Sequence, residues 1–402
     1  EWMRTMGEKN VTGFPSREQA LSDFWEAWQP GGGEELVSLD AACGRISARA
    51  LYSSVELPVV RSSACDGIAV KSADFASGLP DTSTWRRGRD YIRADTGDDF
   101  DDAFDAVIMI EKAAIQPDGS VVLDEDVAVS AGTNVNPRGS TIRRGDLLVE
   151  ARQLIRPTDL AALIMGGVVM VPVLRRPRVA FIPTGSELVP AGIRPWRGQN
   201  IDTNSLMVKH MLLEMGAEPL VYPIIPDNQE LLAEVFGEAV AHCDIVVING
   251  GSAVGDEDFN VRMIEERGRV IHHYIAAVPG RPMMLAVADG KPVIDLPGPT
   301  LAAYYGSDWC LRAVVARWLG VVPPARPTVE AYFAEDVGSV VHMANLARLN
   351  VVADGRGGYL AEPFNFKKGQ LAQCLASNAQ RVSPIGEASI AAGEPVVVEM
   401  LR

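Results

Sequence analysis

The chain has 402 residues, of which 47% are hydrophobic and 22% are charged, and its formal net charge is −15. This length exceeds what one hydrophobic core usually supports, so we expect about two to four domains, and the negative charge argues against a general nucleic-acid binder, which neutralises phosphates with Lys and Arg. No apolar run approaches the roughly 20 residues that span a bilayer, and the N-terminus has no apolar secretory segment. We therefore expect a cytoplasmic protein that binds neither membranes nor nucleic acid.

The N-terminal segment predicts two helices. Ser16 and Gln19 have the spacing of a capping box, and the apolar residues that follow recur at helical intervals. These residues are Leu21, Phe24, Trp25 and Trp28. The glycines at 31–33 end this helix, and a second helix is predicted over residues 36–51.

Short apolar runs separated by Asp, Gly and Pro clusters mark residues 55–148, and this pattern predicts a small β-rich domain. Within it, residues 63–67 form the polar turn Ser-Ala-Cys-Asp-Gly. Asp66 and Gly67 in that turn are equally compatible with a plain hairpin. A helix is predicted again at residues 160–165, before two glycines.

Strands alternate with helices over residues 176–320, a pattern typical of a doubly wound α/β domain. The predicted strands cover residues 179–182, 220–225, 245–248, 270–276, 283–288 and 293–296. Ligands of such domains bind outside the carboxyl ends of the strands. The residues that follow each predicted strand are therefore the candidates for a binding site.

The strand at 245–248 is followed by Asn249 and then by Gly-Gly-Ser-Ala-Val-Gly-Asp-Glu-Asp over residues 250–258. Glycines let the backbone approach a ligand and turn N–H groups toward an anion, and the next helix adds the positive end of its dipole. Asp256 and Asp258 are placed to hold a divalent cation beside that anion. A tight turn with an acidic helix cap is the alternative.

Four other strand ends and one helix start carry polar or rigid turns. Residues 184–188, Thr-Gly-Ser-Glu-Leu, either bind a phosphate or ribose edge or cap a turn, and Asp227 is either a helix cap or a cation ligand. Residues 202–205, Asp-Thr-Asn-Ser, offer more polarity than a helix start needs. Pro-Gly turns follow two further strands, at residues 279–280 and 297–298. Arg281, next to the first of these turns, either binds an anion or is a solvated loop charge.

Residues 323–327 have the composition of a linker, and the strands predicted near 328–333, 346–352 and 395–400 indicate a small C-terminal β-barrel or sandwich. The predicted domains are a helical domain (16–54 and 140–172), a β-rich domain (55–139), an α/β domain (173–322) and a C-terminal barrel domain (323–402).

The five cysteines show no metal-site spacing and indicate buried or incidental thiols in a reducing compartment.

Seven motifs in this order resemble the molybdopterin molybdenumtransferases, the family of MoeA and the gephyrin E domain. They begin at residues 63, 96, 184, 202, 250, 279 and 296. The resemblance implies a homodimer of four-domain subunits with a molybdopterin-binding, MogA-like α/β domain. It implies insertion of molybdate into adenylylated molybdopterin with release of AMP, assisted by Mg²⁺, and a molybdopterin adenylyltransferase as a partner.

The resemblance also assigns residues to roles. Asp66, Glu187 and Asp258 match acidic residues of the family's active cleft, Asp66 being supplied by the dimer mate, and Asp227 and Asp258 match its metal-associated carboxylates. The matching substrate-binding residues are Thr96, Thr184, Gly185, Asn204, Gly250, Gly251, Ser252, Gly255, Pro279, Gly280, Arg281, Pro297 and Gly298. Fixed donors and a cation are needed because molybdate and a phosphoanhydride repel each other.

The chain departs from the family's pattern at three positions. Thr141 stands where an acidic residue is usual, Val278 where a lysine of the oxoanion site is usual, and Pro299 where an asparagine is usual. In the C-terminal domain, Arg348 alone is matched to an arginine of the family. Two alternatives follow: a divergent paralogue that carries or scaffolds molybdopterin without catalysis, or an enzyme for another oxoanion such as tungstate.

Overall fold

The computed structural model of the chain describes residues 13–250, 256–365 and 368–402, with only the backbone of residues 256–258. Residues 34–174 form one compact unit, and the chain on either side of them forms the other. No helix within these described ranges is long and apolar enough to cross a membrane.

Helix α1 (Arg17–Ala27) begins as its sequence predicts. The Ser16 hydroxyl caps it by accepting a hydrogen bond from the Gln19 backbone N–H (3.1 Å). The Gln19 side chain does not complete the capping box, because it donates forward to Asp23 (2.6 Å). Phe24 is buried on the helix face that the apolar spacing marks as internal, and Trp28, the extended residue that follows the helix, is buried too.

The unit of residues 34–174 consists mainly of short strands around three buried apolar clusters, and it contains the segment 55–139 that was expected to be β-rich. Its elements are β1 (Glu34–Ser38), α2 (Leu39–Ala42), β2 (Leu51–Tyr52), β3 (Ser62–Ser63), β4 (Gly67–Val70), β5 (Tyr91–Ala94), β6 (Ala106–Met109), β7 (Ala113–Ile115), β8 (Val121–Leu123), β9 (Val135–Asn136), β10 (Leu147–Val149), α3 (Pro157–Met165) and β11 (Met170–Leu174). Helix α3 contains the predicted segment 160–165.

The helix predicted over residues 36–51 is wrong. Strand β1 pairs antiparallel with β11, so that Glu34 faces Leu174 and Ser38 faces Met170. Only the four residues of α2 are helical, and Gly44 follows them with φ +73°. Pairing with a strand about 130 residues away overrides the local helical spacing, which carries no information about such partners.

The other unit contains a doubly wound α/β domain, as predicted. Its elements after α1 are β12 (Arg178–Pro183), β13 (Leu188–Val189), β14 (Asn200–Ile201), α4 (Asn204–Glu214), β15 (Glu218–Val221), α5 (Gln229–His242), β16 (Ile245–Asn249), α6 (Asp256–Glu265), β17 (Gly268–Tyr274), β18 (Ala277–Val278), β19 (Pro282–Ala288), β20 (Lys291–Leu296), α7 (Thr300–Gly306) and α8 (Arg312–Leu319). A π-helical turn, Ser307–Leu311, joins the last two helices.

The main sheet has the strand order β15-β12-β16-β20-β19-β17. The first four strands are parallel, β19 runs antiparallel to β20, and β17 runs antiparallel to β19. Residues 245–248 of β16 are completely buried, as the β-branched run Ile-Val-Val-Ile predicts, and α5 packs against the sheet through Leu232 and Phe236. The register places Pro183, Asn249 and Leu296 side by side at the carboxyl ends of β12, β16 and β20.

The C-terminal region is a closed five-stranded barrel, which decides between the two predicted architectures. Its elements are β21 (Thr328–Phe333), β22 (Ala344–Ala353), β23 (Tyr359–Pro363), α9 (Leu371–Leu375), β24 (Ala379–Ser383) and β25 (Pro395–Met400). The strands pair in the order β22-β23-β21-β25-β24, and β24 pairs again with β22 to close the barrel. Strand β18 of the α/β domain adds to β22 in parallel.

A charged cluster joins the π-helical turn to the barrel. The Asp308 carboxylate, 9% exposed, binds the guanidinium groups of Arg312 and Arg326. It also accepts a hydrogen bond from Gln380 of β24 (3.1 Å), and Arg326 reaches Glu399 of β25 (3.3 Å). A single buried carboxylate therefore links the α/β domain with two barrel strands.

Candidate active site

The buried side chain of Asn249 holds together the carboxyl edge of the main sheet. Its amide nitrogen donates to the carbonyl oxygens of Leu296 (3.2 Å) and Pro297 (2.9 Å), and its amide oxygen accepts from the Asn204 amide (2.9 Å). Asn204 also donates to the Gly298 carbonyl (2.7 Å). Three of the predicted binding residues, Asn204, Pro297 and Gly298, thus belong to one hydrogen-bonded cluster.

Thr184 and Gly250 continue this cluster along the edge. The Thr184 backbone N–H donates to the Asn249 carbonyl (2.9 Å), and the Gly250 N–H donates to the Leu296 carbonyl (3.1 Å). Gly250 has φ +108°, and a Cβ atom added to it would lie 2.6 Å from the Thr184 carbonyl oxygen. Only glycine fits here, because any side chain would clash with backbone.

Glu187 folds back over the turn that follows β12. Gly185 has φ +141°, and a Cβ atom placed there would lie 2.5 Å from the Glu187 Oε2 atom. The Gly185 N–H donates to the Ile225 carbonyl (2.9 Å), which fixes the turn beside the segment that follows β15. The exposed Glu187 carboxylate is therefore held above a glycine turn at the same edge as Thr184.

Asp227 contacts that turn through Ser186. The Ser186 N–H donates to the Asp227 Oδ2 atom (3.2 Å), and the Asp227 N–H donates to the Ser186 hydroxyl (2.9 Å). Asn228, not Asp227, caps α5 by accepting from the Leu231 N–H (2.9 Å). Of the two readings of Asp227, the helix cap is excluded, and its exposed carboxylate faces solvent beside the Glu187 turn.

Four other predicted site residues lie outside the described structure. Gly251, Ser252 and Gly255 belong to residues 251–255, and for Asp258 only the backbone is described, within α6. Groups of three or more His, Cys, Asp or Glu side chains suited to a metal are absent from the described residues. The second carboxylate predicted for the metal, that of Asp258, is not among the described side chains.

The turn at Pro279 and Gly280 packs against the turn at Pro297 and Gly298. A Cβ atom added to Gly280 (φ +105°) would lie 3.4 Å from Pro297 and 3.5 Å from Ala302, so the turn containing Pro279 and Gly280 packs against the residues after β20. The guanidinium of the half-buried Arg281 lies 5.9 Å from the Phe14 ring centroid. Its position over this ring orients the charge without an acidic partner among the described residues.

Asp66 and Thr96 meet in the unit of residues 34–174. The Asp66 Oδ1 atom accepts hydrogen bonds from the Thr96 backbone N–H (2.7 Å) and hydroxyl (2.8 Å). These two bonds lower the pKa of the Asp66 carboxyl below its usual value because they stabilise the charged form. Two predicted site residues, 30 positions apart, therefore form a pair whose carboxylate is ionised near neutral pH.

Arg348, the residue matched to an arginine of the family, is almost completely buried. Its guanidinium donates to the carbonyl oxygens of Cys374 (3.1 Å) and Leu375 (2.9 Å) and to the Ser377 hydroxyl (2.9 Å). It also lies 4.8 Å from the Tyr304 ring centroid. In this conformation Arg348 supports the junction of barrel and α/β domain.

Sequence reasoning missed Asn249 as a site residue. An amide at the end of an otherwise apolar buried strand is the signal that could have found it, since a buried polar side chain needs partners. Thr203 and Thr300 are a second case: their hydroxyls are 2.8 Å apart although the residues are 97 positions apart. That pair could not be found from either local pattern.

Asn249→Asp is expected to destabilise the protein by about 2–4 kcal/mol. A carboxylate cannot donate to the carbonyls of Leu296 and Pro297, and it would bring a buried charge beside them. Urea unfolding measures the effect. Asn228→Asp is the matched control, because aspartate caps a helix as well as asparagine does; equal stability of both variants would contradict the role of Asn249.

The chain is similar to known proteins over most of its length. Residues 16–167 match the family model of the MoeA N-terminal region (domain I and II), and residues 180–317 match that of a probable molybdopterin binding domain. The solved molybdopterin biosynthesis MoeA protein of Pyrococcus horikosii superposes with a TM-score of 0.80 at 27% identity, covering 97% of this chain and 100% of that one.

The chain belongs to the MoeA family. Among curated members, the molybdopterin molybdenumtransferase of Haemophilus influenzae is 26% identical and covers 91% of this chain and 93% of its own length. The enzyme of the same name from Bacillus subtilis is 27% identical and covers 93% and 91%. The match to the MoeA family extends beyond the α/β domain to nearly the whole chain, so the predicted fold class is confirmed.

Proposed function

We propose that this protein is a molybdopterin molybdenumtransferase that inserts molybdate into adenylylated molybdopterin and releases AMP. One observation carries the proposal: Thr184, Gly185, Asn204, Gly250 and Gly298 form a single cluster at the carboxyl edge of the sheet, bordered by the carboxylates of Glu187 and Asp227. Relatives named for this activity cover nine-tenths of the chain. A carrier without catalysis or an enzyme for another oxoanion is not favoured by these names.

The residues divide the chemistry between them. The glycines of the turns at the sheet edge carry no side chain, so the substrate's phosphates can approach the backbone closely. Arg281 supplies a positive charge for the oxoanion, where the family has lysine. Glu187 is the carboxylate placed to accept a proton from a water molecule whose oxygen attacks phosphorus, as the phosphoanhydride bond between pterin phosphate and AMP breaks.

Asp227 suits a Mg²⁺ ion. Its Oδ2 atom is held by the Ser186 N–H, and its exposed carboxylate offers the hard oxygen ligand that Mg²⁺ prefers. In the proposal, Asp258 supplies the second carboxylate. When bound, the ion would offset the charges of molybdate and the phosphates, while Ser186 and Gly185 keep Asp227 and Glu187 at their places.

The proposal extends to the state of the protein in the cell. We expect a cytoplasmic homodimer in which Asp66 and Thr96 of one subunit serve the cleft of the other, and a molybdopterin adenylyltransferase that supplies the substrate. Exposed apolar side chains on and beside α3 support a dimer interface in the unit of residues 34–174. They include Ile164 (63% exposed) and Val169 (72%).

The test is molybdate-dependent release of AMP from adenylylated molybdopterin. Asp227→Asn is expected to raise the Mg²⁺ concentration needed for half-maximal rate by about tenfold, because the variant keeps the Ser186 contact but loses the charge. Asp40→Asn, an exposed carboxylate in the other unit, is the control and leaves that concentration unchanged. Absence of molybdate-dependent AMP from the unmodified protein would reject the proposed function.

A further inference from the structure

An exposed loop lies next to the proposed site. Residues 190–200 are all exposed, and they connect β13 to β14, which lie side by side in parallel. The Asn200 N–H donates to the Glu187 carbonyl (2.8 Å), and the Asp202 N–H donates to the Val189 carbonyl (2.9 Å). The loop is thus clamped at its base between Glu187 and the segment leading to Asn204, two residues of the site.

Trp196 is the most unusual residue of this loop. Its side chain is 83% exposed, although an indole in water gains by covering its apolar faces. A tight turn holds it near the loop base: the Gln199 N–H donates to the Trp196 carbonyl (3.0 Å), and the Trp196 N–H donates to the Gln199 side chain (2.9 Å). Such a turn keeps its end Cα atoms within about 7 Å, and the next Cα is about 3.8 Å further. The Cα atom of Trp196 therefore lies within about 11 Å of the Cα atom of Asn200, the residue that contacts Glu187.

The charge of the loop selects the kind of ligand. Arg194 and Arg197 flank Trp196, and residues 190–200 contain no acidic side chain in a chain of net charge −15. Neither arginine forms an ion pair with a described residue. A flat aromatic surface between two guanidinium groups suits a ligand that is both planar and anionic.

We propose that Trp196 stacks on the adenine ring of adenylylated molybdopterin and that Arg194 and Arg197 attract its phosphates. This inference rests on the proposed function and names the residues that hold its leaving half. In the proposed function the phosphoanhydride binds at the glycine turns. The pterin half of the substrate must remain bound to the protein until molybdenum is inserted. The AMP half leaves into solvent, so a solvent-exposed loop suits adenine better than the pterin.

The experiment compares two ligands by equilibrium binding: adenylylated molybdopterin and molybdopterin without the adenylyl group. We expect Trp196→Ala to weaken the first about tenfold, the usual effect of losing one aromatic–base stack, and to leave the second unchanged. Trp196→Phe should restore most of the affinity, because it keeps a stacking face. In AMP release, KM should rise more than kcat falls, since Trp196 does not touch the bond that breaks.

Ile193→Ala is the matched control, because this side chain is exposed in the same loop (53%) but cannot stack. Arg194→Gln with Arg197→Gln should weaken adenylylated molybdopterin and reduce the salt dependence of its binding. Equal weakening of both ligands by Trp196→Ala would show a structural role and overturn the inference. Unchanged affinity for adenylylated molybdopterin would overturn it too, and a loop reserved for a protein partner would give that result.

The two proposals fail separately. Trp196-dependent binding of adenylylated molybdopterin without release of AMP would reject the proposed function and keep the inference. AMP release by the unmodified protein together with native affinity in Trp196→Ala would keep the function and reject the inference.

Discussion

Glu187→Gln is expected to lower the rate of molybdate-dependent AMP release by about 10²–10⁴-fold, the usual contribution of a positioned general base. The amide is isosteric and cannot accept the proton. Because Gly185 leaves space for either side chain, the turn after β12 should keep its shape. Single-turnover measurement of AMP release reports this step directly, and affinity for adenylylated molybdopterin should change much less.

Glu214→Gln is the control for this prediction. Glu214 ends α4 with an exposed carboxylate away from the sheet edge, so its variant should release AMP at the native rate. If Glu187→Gln retained more than a tenth of the native rate, Glu187 would not be the proton acceptor. Asp258, whose side chain lies outside the described structure, would then be the next carboxylate to test.

Asp308→Asn is expected to lower the free energy of unfolding by about 2–4 kcal/mol, since removing one partner of a buried ion pair leaves the other charge uncompensated. Asp308 is 9% exposed and binds both Arg312 and Arg326. The estimate is lower than for a fully buried pair, because the Arg326 side chain is 25% exposed and also contacts Glu399. Urea unfolding at pH 7 measures the loss.

Asp289→Asn provides the matched control. Asp289 pairs with Arg267 at 3.1 Å, but both side chains are about half exposed. Exposed pairs contribute about 0–1 kcal/mol, so this variant should unfold almost like the native protein. Equal losses in both variants would contradict the assignment of Asp308 as the junction between α/β domain and barrel.

The ion pair of Asp308 with Arg326 predicts that the stability of the protein depends on pH. Burial by itself would raise the pKa of Asp308. The hydrogen bond and positive charge of Arg326 lower this pKa by more than burial raises it, so the net shift is downward. A lowered folded pKa contributes stability above the unfolded value of about 3.9 and loses it as pH falls through the folded value. The difference in unfolding free energy between native protein and Asp308→Asn should therefore be constant from pH 7 to 5 and shrink below pH 4.

Several features of the fold and site could be predicted because they are local. The apolar run at residues 245–248 marks a buried strand whatever its neighbours are, and the glycines at 185 and 250 mark turns that no other residue adopts easily. Seven motifs in order were enough to indicate the family. The resemblance to the family, and not a local pattern, assigns Asp66, Thr96, Asn204 and Gly298 to the site, and the structure shows hydrogen bonds between Thr96 and Asp66 and between Asn204 and Gly298.

By itself, then, the sequence determined the fold class, the order of the strands along the chain and the turns at which ligand chemistry is concentrated, because burial and turn geometry are written in neighbouring residues. The tertiary structure alone decided that residues 34–38 form a strand, that Asn249 joins three strand ends, and that Trp196 remains in solvent on a loop whose base contacts Glu187. Each of these depends on which strands pair and in which register, and contacts between distant positions leave no trace in a local pattern.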